Sequence, residues 1–231
     1  MEDVSFTYPE ANRPALRDVS LTIRAGEVIA LVGPSGAGKS AFASLLLRLA
    51  DPQLGVVRLD GHDVRELTLD SVRSAVGVLL QDAPILDASA RDNIAYGAGD
   101  VDDAAVIAAA KAADAHAFIT ALPDAYDTRL GRQGRSLSVG QRRRIAIART
   151  LLRDTPVVVL DEPSAGLDAP TAERILGPLR RLMAGRTTIL ITHDLRLVTD
   201  ADRVVRLDAG RVVADGPPAD VSPALDPEHV T

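Results

Sequence analysis

Two periods run along the chain. Short apolar runs or apolar–polar alternations mark strands, and apolar residues recurring every three to four positions mark helices. Val4 to Tyr8 alternates and predicts a strand stopped by Pro9, and Leu16 to Ile23 predicts a second. Ala25-Gly26-Glu27 turns the chain into Val28 to Val32, continuous and β-branched, as in a strand buried on both faces. Ala41 to Leu49 is helical in texture, with Leu45, Leu46 and Leu49 on one stripe. Val56 to Leu59 with the turn Asp60-Gly61 predicts another strand, and Val76 to Leu80 a further buried one ending at Gln81. Strand signals then stop. Asp102 to Ala113 and Ala115 to Leu122 are alanine-rich and helical, and Ser138 to Arg153 is a long amphipathic helix. Afterwards Val157–Leu160, Thr187–Thr192 and Arg203–Leu207 predict strands around a helix over Ala169–Met183, and Asp208-Ala209-Gly210 makes a hairpin turn into Val212-Val213. Alternating strands and helices imply a parallel sheet with covered faces. The pattern therefore predicts an α/β core over about 1–82 and 155–216, with antiparallel β structure in its first third. A helical subdomain is inserted over about 83–154, and a loosely held, proline- and acid-rich tail covers 217–231.

Composition narrows the possible functions. A chain of 231 residues with 46% hydrophobic residues can bury a sizeable core. The formal net charge of −6 lacks the basic excess of a nucleic-acid-binding surface, and no nucleic-acid partner is expected. Without cysteine there is no disulfide, thiolate metal site or cysteine nucleophile. No apolar run approaches the ~18 residues of a membrane span, and Met1 to Ser5 lacks the features of a signal peptide, so the chain by itself reads as cytosolic.

The chemistry starts between the buried strand and its helix, at Gly33-Pro34-Ser35-Gly36-Ala37-Gly38-Lys39-Ser40. It fits the phosphate-binding pattern G-x-x-x-x-G-K-[ST]. A strand turning tightly into a helix leaves the first N–H groups of that helix, and its dipole, for an anion. Glycines allow a close approach that a Cβ would obstruct. Lys39 can reach the β- and γ-phosphates, and the Ser40 hydroxyl can help hold Mg²⁺. A second motif, Val157 to Pro163, brings Asp161 and Glu162 to a strand's carboxyl end, where ligands bind in open α/β sheets. Asp161 suits the Mg²⁺, and Glu162 could take a proton from an attacking water. A third, Leu137-Ser138-Val139-Gly140-Gln141, opens a helix with Ser138 as a good N-cap.

With these motifs in this order, the sequence resembles the nucleotide-binding domain of ATP-binding cassette transporters, whose signature is Leu-Ser-Gly-Gly-Gln. The resemblance runs from about Val4 to Gly216 and implies a P-loop NTPase (RecA-like) core with an antiparallel β subdomain and an inserted α-helical one. It further implies that Tyr8 stacks on adenine, that the backbone from Gly33 through Ser40 to Ala41 cradles the phosphates, and that Gln81 touches metal and attacking water. His193 is implied at the γ-phosphate, Ser164 to Asp168 as a segment crossing a dimer interface, and Ser138, Gly140 and Gln141 as the cover over ATP bound by the opposite subunit. The metal would be shared by Ser40, Gln81 and Asp161, and the bound species are ATP and Mg²⁺. Leu86 to Gly97 and Leu122 to Thr128 look like the exporter branch in particular.

Members of that branch usually carry a membrane domain in the same polypeptide, so this chain resembles an excised domain or a half whose membrane part is a separate subunit. Its expected partners are that transmembrane domain and a second nucleotide-binding domain, in a homo- or heterodimer. Its expected location is the cytoplasmic face of the cell's inner membrane. Four residues depart from the family pattern: Val139 for glycine, Ala41 for a hydroxyl residue, Ala165 for serine, and Arg132 where exporters tend to have glutamate. Val139 and Ala165 motivate a second reading, a regulatory, weakly hydrolysing half of a heterodimer. Cassette ATPases of DNA repair or translation would need a coiled-coil insertion or tandem cassettes, and small-molecule kinases lack the signature and the switch histidine. If Val139 crowds the composite site, Val139→Gly raises steady-state ATP turnover; unchanged or lower turnover removes that idea.

Overall fold

The computed structural model describes residues 1–131, 134 and 137–221. Arg132 and the tail residues 222–231, both singled out from the sequence, lie outside the described residues. The chain divides into two units. The first comprises Met1–Val76, Pro156–Val159 and the chain from Arg186 onward, and the second Gly77–Thr155 and Leu160–Gly185.

In the first unit, β1 (Glu2–Phe6) lies between β2 (Leu16–Val19) and β4 (Leu54–Val56), antiparallel to both. A second sheet is built from β3 (Val28–Val32), β9 (Thr187–Ile191), β10 (Arg203–Asp208) and β11 (Arg211–Gly216). The first residues of β8 (Val157–Asp161) join it, in the order β11-β10-β3-β9-β8. β3 runs parallel to β10 and β9, with Leu31 opposite Val205 on one side and Ile191 on the other. Ile29 to Val32, Ile189 to Ile191, Val204 and Val205 are all buried, as central parallel strands require. β10 and β11 form a hairpin whose turn residues, Ala209 at φ 44° and Gly210 at φ 81°, match the right-handed twist of the strands. Helix α1 (Lys39–Leu46) follows β3, the β5–β6 hairpin (Arg58–Leu59 and His62–Asp63) precedes α2 (Leu69–Ala75), and α8 (Leu195–Val198) and α9 (Pro218–Val221) complete the unit.

The second unit is helical apart from β7 (Val76–Leu79), which leads into it. It contains α3 (Ala90–Ala95), α4 (Asp103–Ala112), α5 (His116–Thr120), a 3₁₀ turn at Ala125–Asp127, α6 (Val139–Arg153) and α7 (Ala169–Met183). α7 buries Ala172, Ile175, Leu176, Leu179, Leu182 and Met183, an i, i+3, i+4, i+7 stripe. Because α7 packs on α6, residues 160–185 group with the helical block rather than with the core to which the sequence pattern gave them.

Several elements differ from their sequence expectations, each for a local reason. β1 ends at Phe6 because the Gln53 carboxamide takes both main-chain groups of Thr7, so Tyr8 lies beyond the strand. α1 stops at Leu46. Arg48 adopts φ 48°, and the N–H groups of Arg48 and Leu49 donate to Leu45 O (3.1 Å) and Ser44 O (2.8 Å), a Schellman closure that turns Leu49 out to 67% exposure. The expected apolar stripe therefore ends before Leu49. β2 ends at Val19, although Leu21 beyond it is buried. α2 and α3, too short for a clear helical period, are started by their N-caps Thr68 and Ser89. The tail is not loose from its start. α9 puts Val221 in a core cluster with Ala30, Val32, Val198 and Val204. Val221→Ala should lower unfolding stability by about 1–2 kcal/mol, read as a lower urea midpoint, from about 0.8 kcal/mol per buried methylene plus a small void. No change in midpoint would mean that α9 is not held.

Candidate functional site

The first unit carries a strand end, a glycine loop and a helix start in one continuous stretch. β3 ends at Val32, Gly33 to Gly38 form the loop, and Lys39 opens α1. The three glycines answer different needs. A Cβ on Gly33 (φ 145°) would lie 2.1 Å from Leu207 O. One on Gly38 (φ 111°) would lie 2.5 Å from Ala15 O and 2.8 Å from Leu16 Cδ2. These two are demanded by packing against the protein behind the loop. Gly36 (φ 77°) has nothing within 4 Å of its Cβ position, so only its backbone sign demands glycine, and it faces open space. The hairpin turn closes the loop from behind: Gly210 N–H donates to Ala37 O (3.0 Å), and Gly210 O accepts from Arg17 N–H (2.8 Å).

Lys39 is half-buried, and its ammonium donates to Gly33 O (2.6 Å) and Pro34 O (3.0 Å), which places a positive charge across the loop's mouth. Ser35 and Ser40 are exposed. Ala37 and Ala41 are buried at 2% exposure each, and the Ala37 N–H donates to Pro34 O (3.2 Å) within the loop. The leading N–H groups of α1 have no acceptor within the helix and suit an anion. β9 lies parallel to β3 with Ile191 opposite Leu31, so Gly33 and His193 each leave the carboxyl end of neighbouring strands two residues further on. His193 is exposed, and the backbone around it is pinned. The buried Thr192 hydroxyl accepts from Asp194 N–H (3.0 Å), and Asp194 caps α8 and forms a two-point pair with Arg196. Tyr8 is 40% exposed, with its ring T-shaped to that of Phe6 at 4.8 Å between centroids and 76° between planes.

In the second unit, Ser138 and Gln141 form a full capping box. The Ser138 hydroxyl accepts from Gln141 N–H (3.2 Å), and the Gln141 carboxamide accepts from Ser138 N–H (2.8 Å). Both side chains are therefore engaged in starting α6. Gly140 is buried, and a Cβ there would lie 2.4 Å from Thr171 Cγ2, so this glycine is set by the packing of α7 on α6. Val139 is 44% exposed. It lines a cavity of about 510 Å³ with Gln81, Asp82, Pro84, Ile85 and Arg142. Asp161 is the last residue of β8, and Glu162 follows in the left-handed region at φ 44°. That backbone costs on the order of 1 kcal/mol or more for a residue with a Cβ and recurs at functional sites. A tight turn holds it, with Ala165 N–H donating to Glu162 O (3.1 Å) and Gly166 at φ 73°.

The sequence pattern did not single out Arg143. It lies on the buried face of α6 with Gly140, Ile147 and Thr150, only 3% exposed, and its guanidinium donates to Leu80 O (3.1 Å) and Ala165 O (3.4 Å). Burial lowers its pKa from the usual arginine value, and the carboxylates of Asp82 and Asp161 act in the opposite direction. The available signal was a charged residue three positions after Gly140 and four before Ile147, on the apolar stripe. Among the described residues no cluster of three or more His, Cys, Asp or Glu side chains could hold a metal ion. The oxygen donors expected for one, Ser40, Gln81 and Asp161, include a single carboxylate. Such a set fits Mg²⁺ arriving with phosphate oxygens and waters better than a resident ion in a protein cage.

A family model described as ABC transporter matches residues 16–165. The chain is 50% identical over 214 residues to an ATP-dependent lipid A-core flippase of Alkalilimnicola ehrlichii, covering 92% of this chain and 36% of that protein. It is 45% identical to a β-(1→2)glucan export ATP-binding/permease protein of Rhodopseudomonas palustris, with 93% of this chain and 35% of the relative covered. Among solved structures, a bacterial Atm1-family ABC exporter with ATP bound superposes with a TM-score of 0.88 at 41% identity, over 95% of this chain and 38% of that one. The chain thus spans about a third of the length of these relatives.

The glycine geometry separates two substitutions. Gly36→Ala should cost only the left-handed backbone, about 1–2 kcal/mol. Gly38→Ala adds overpacking worth about 1–3 kcal/mol more. Urea midpoints of the two variants should differ in that order, and equal midpoints would contradict the packing role of Gly38.

Proposed function

Because the chain belongs to the ABC transporter family, we propose that it is the ATP-binding and ATP-hydrolysing unit of a membrane exporter, working with a second such unit and a transmembrane partner. The observation that carries this reading is the Gly33–Ser40 loop. Its backbone is held from behind, it is open at Gly36, and the Lys39 ammonium lies across its mouth. That arrangement suits a polyphosphate. The main-chain N–H groups of Gly36 and of Gly38 to Ala41, with the Lys39 charge, bind the phosphates, and Tyr8 offers its exposed ring to the adenine.

Hydrolysis needs a water aimed at the γ-phosphate and charge to oppose the negative charge spreading over it. In this reading Glu162 orients the water and takes its proton, Gln81 holds that water on its other side, and His193 with Lys39 faces the γ-phosphate oxygens. Ser40, Gln81 and Asp161 would hold Mg²⁺, which neutralises charge on the β- and γ-phosphates when bound. The main-chain N–H groups at the start of α6 would cover the nucleotide bound by the second nucleotide-binding domain of the pair, since a helix N-terminus prefers an anion. The capping box engages the Ser138 and Gln141 side chains together with their own N–H groups, which leaves the N–H groups of Val139 and Gly140 as the contact surface.

No helix among the described residues is long and apolar enough to cross a membrane. Association with the cytoplasmic face therefore runs, in this reading, through a transmembrane partner. The segment after Gln81, beside the cavity shared with Val139 and Arg142, is the natural reporter to it. The relatives are named for different cargoes, a lipid A-core and a glucan, so cargo choice is assigned to the parts of those proteins that this chain does not match. The alternative of a weakly hydrolysing heterodimer half has no support among the matched relatives. Glu162→Gln should keep ATP binding, reduce turnover at least a hundredfold and trap an ATP-bound dimer visible by size-exclusion chromatography. Parental turnover in that variant would refute the role given to Glu162.

A further inference from the structure

One buried guanidinium in the second unit touches two of the segments that the functional reading needs. Arg143 donates to the carbonyl of Leu80, the residue immediately before Gln81. It also donates to the carbonyl of Ala165, whose own N–H closes the turn onto Glu162 O. Neither carbonyl belongs to a regular helix or strand: β7 ends at Leu79, and Ala165 lies between β8 and α7. At 3% exposure the guanidinium is removed from water, where a charged donor to a carbonyl is stronger than a neutral one and expensive to leave unmade.

A second arginine of α6 holds the other end of the same loop. Arg149 donates to Pro84 O (3.0 Å), to Asn93 O (2.8 Å) and to the Asn93 side-chain oxygen (3.1 Å). Asn93, fully buried, pins the backbone of Leu86 from both its N–H and its carbonyl. The Gln81 loop therefore leaves the protein at a carbonyl held by Arg143 and returns at one held by Arg149, both on α6. Only Arg143 reaches the Glu162 turn as well.

We propose that Arg143 is a positioning residue that ties the backbones carrying Gln81 and Glu162 to α6, so that the helix opened by Ser138 sets the water-handling carboxamide and carboxylate together. This rests on the ATPase reading above. A guanidinium has the spread of donors to reach two carbonyls from one buried point, which an ammonium or a carboxamide lacks. When the start of α6 takes up a nucleotide bound by the second nucleotide-binding domain of the pair, the same rigid helix would shift Gln81 and Glu162 of its own chain. Arg143 would thereby connect the state of one site to the readiness of the other.

The test uses the full chain with Arg143→Met, which keeps the volume and removes the donors, and Arg143→Lys, which keeps the charge but reaches one carbonyl at most. Amide hydrogen exchange should speed up at least fivefold in residues 81–83 and 164–168 together in Arg143→Met. Arg149→Met should affect the segment after Pro84 and leave 164–168 at the parental rate. ATPase kinetics should show kcat down at least tenfold in Arg143→Met with KM for ATP within twofold, and an intermediate kcat in Arg143→Lys. A merely structural role would lower the thermal midpoint without that split between kcat and KM. Parental exchange in the two segments, or kcat within twofold of the parent in either variant, would overturn the proposal. Should Arg143→Met fail to fold, Arg143→Lys decides on the same criteria. Parent and Glu162→Gln chains run alongside keep the two ideas apart. If those two hydrolyse ATP equally, the ATPase reading fails, while the exchange measurement still reports on the Arg143 tie.

Discussion

The loop from Gly33 to Gly38 is held by close backbone contact from behind, and the first unit's chemistry depends on that hold. The space that side chains on Gly33 and Gly38 would fill is taken by the carbonyls of Leu207 and Ala15, and Gly210 at the hairpin tip bonds to Ala37 O. These contacts come from segments far apart in sequence, so the shape of the loop is a product of the whole sheet rather than of eight residues. On the proposed reading, a backbone fixed in this way lets an anion be met by rearranging the Lys39 side chain rather than the loop itself, which favours strong electrostatic recognition. The same constraint explains why the positions around the loop are small or buried: Ala37 and Ala41 close the gap between the anion side and the core.

Helical packing plays the corresponding part in the second unit. Gly140 lets α7 approach α6 through Thr171, and the buried face of α6 has to accommodate Arg143 among alanine and isoleucine. Burying a guanidinium is costly unless every direction is met by an acceptor or an opposite charge. Two carbonyls and the carboxylates of Asp82 and Asp161 offset part of that cost, although burial still lowers the Arg143 pKa. The polar residue in this core thus specifies the positions of two loops, a task that apolar packing, which is indifferent to direction, performs less well.

Where period and cap agreed, the sequence was legible. α6 with Ser138, α7 with its apolar stripe, and the parallel strands β3, β9 and β10 with their β-branched runs lie where the pattern predicts. The antiparallel hairpin at Ala209–Gly210 was readable from its turn residues. What escaped was decided by partners distant in sequence or by single dihedral angles. Gln53 ends β1, a left-handed Arg48 exposes Leu49, and Val221 finds its core only once β10 and α8 are in place. The motif identified Gly33, Gly36 and Gly38 as a set, but only the coordinates separate two glycines that yield to protein backbone from one that yields to open space. Arg143 was illegible because a charge on an apolar stripe has no meaning until the two carbonyls that receive it are located.

Tyr8 has a consequence for base selection. Its ring stands T-shaped to Phe6, which is itself almost fully buried, and remains 40% exposed to solvent. An aromatic face attracts the π-surface of any purine and does not distinguish the hydrogen-bonding edges by which adenine and guanine differ. On the proposed reading, the first unit grips the triphosphate firmly and senses the base only by its flatness.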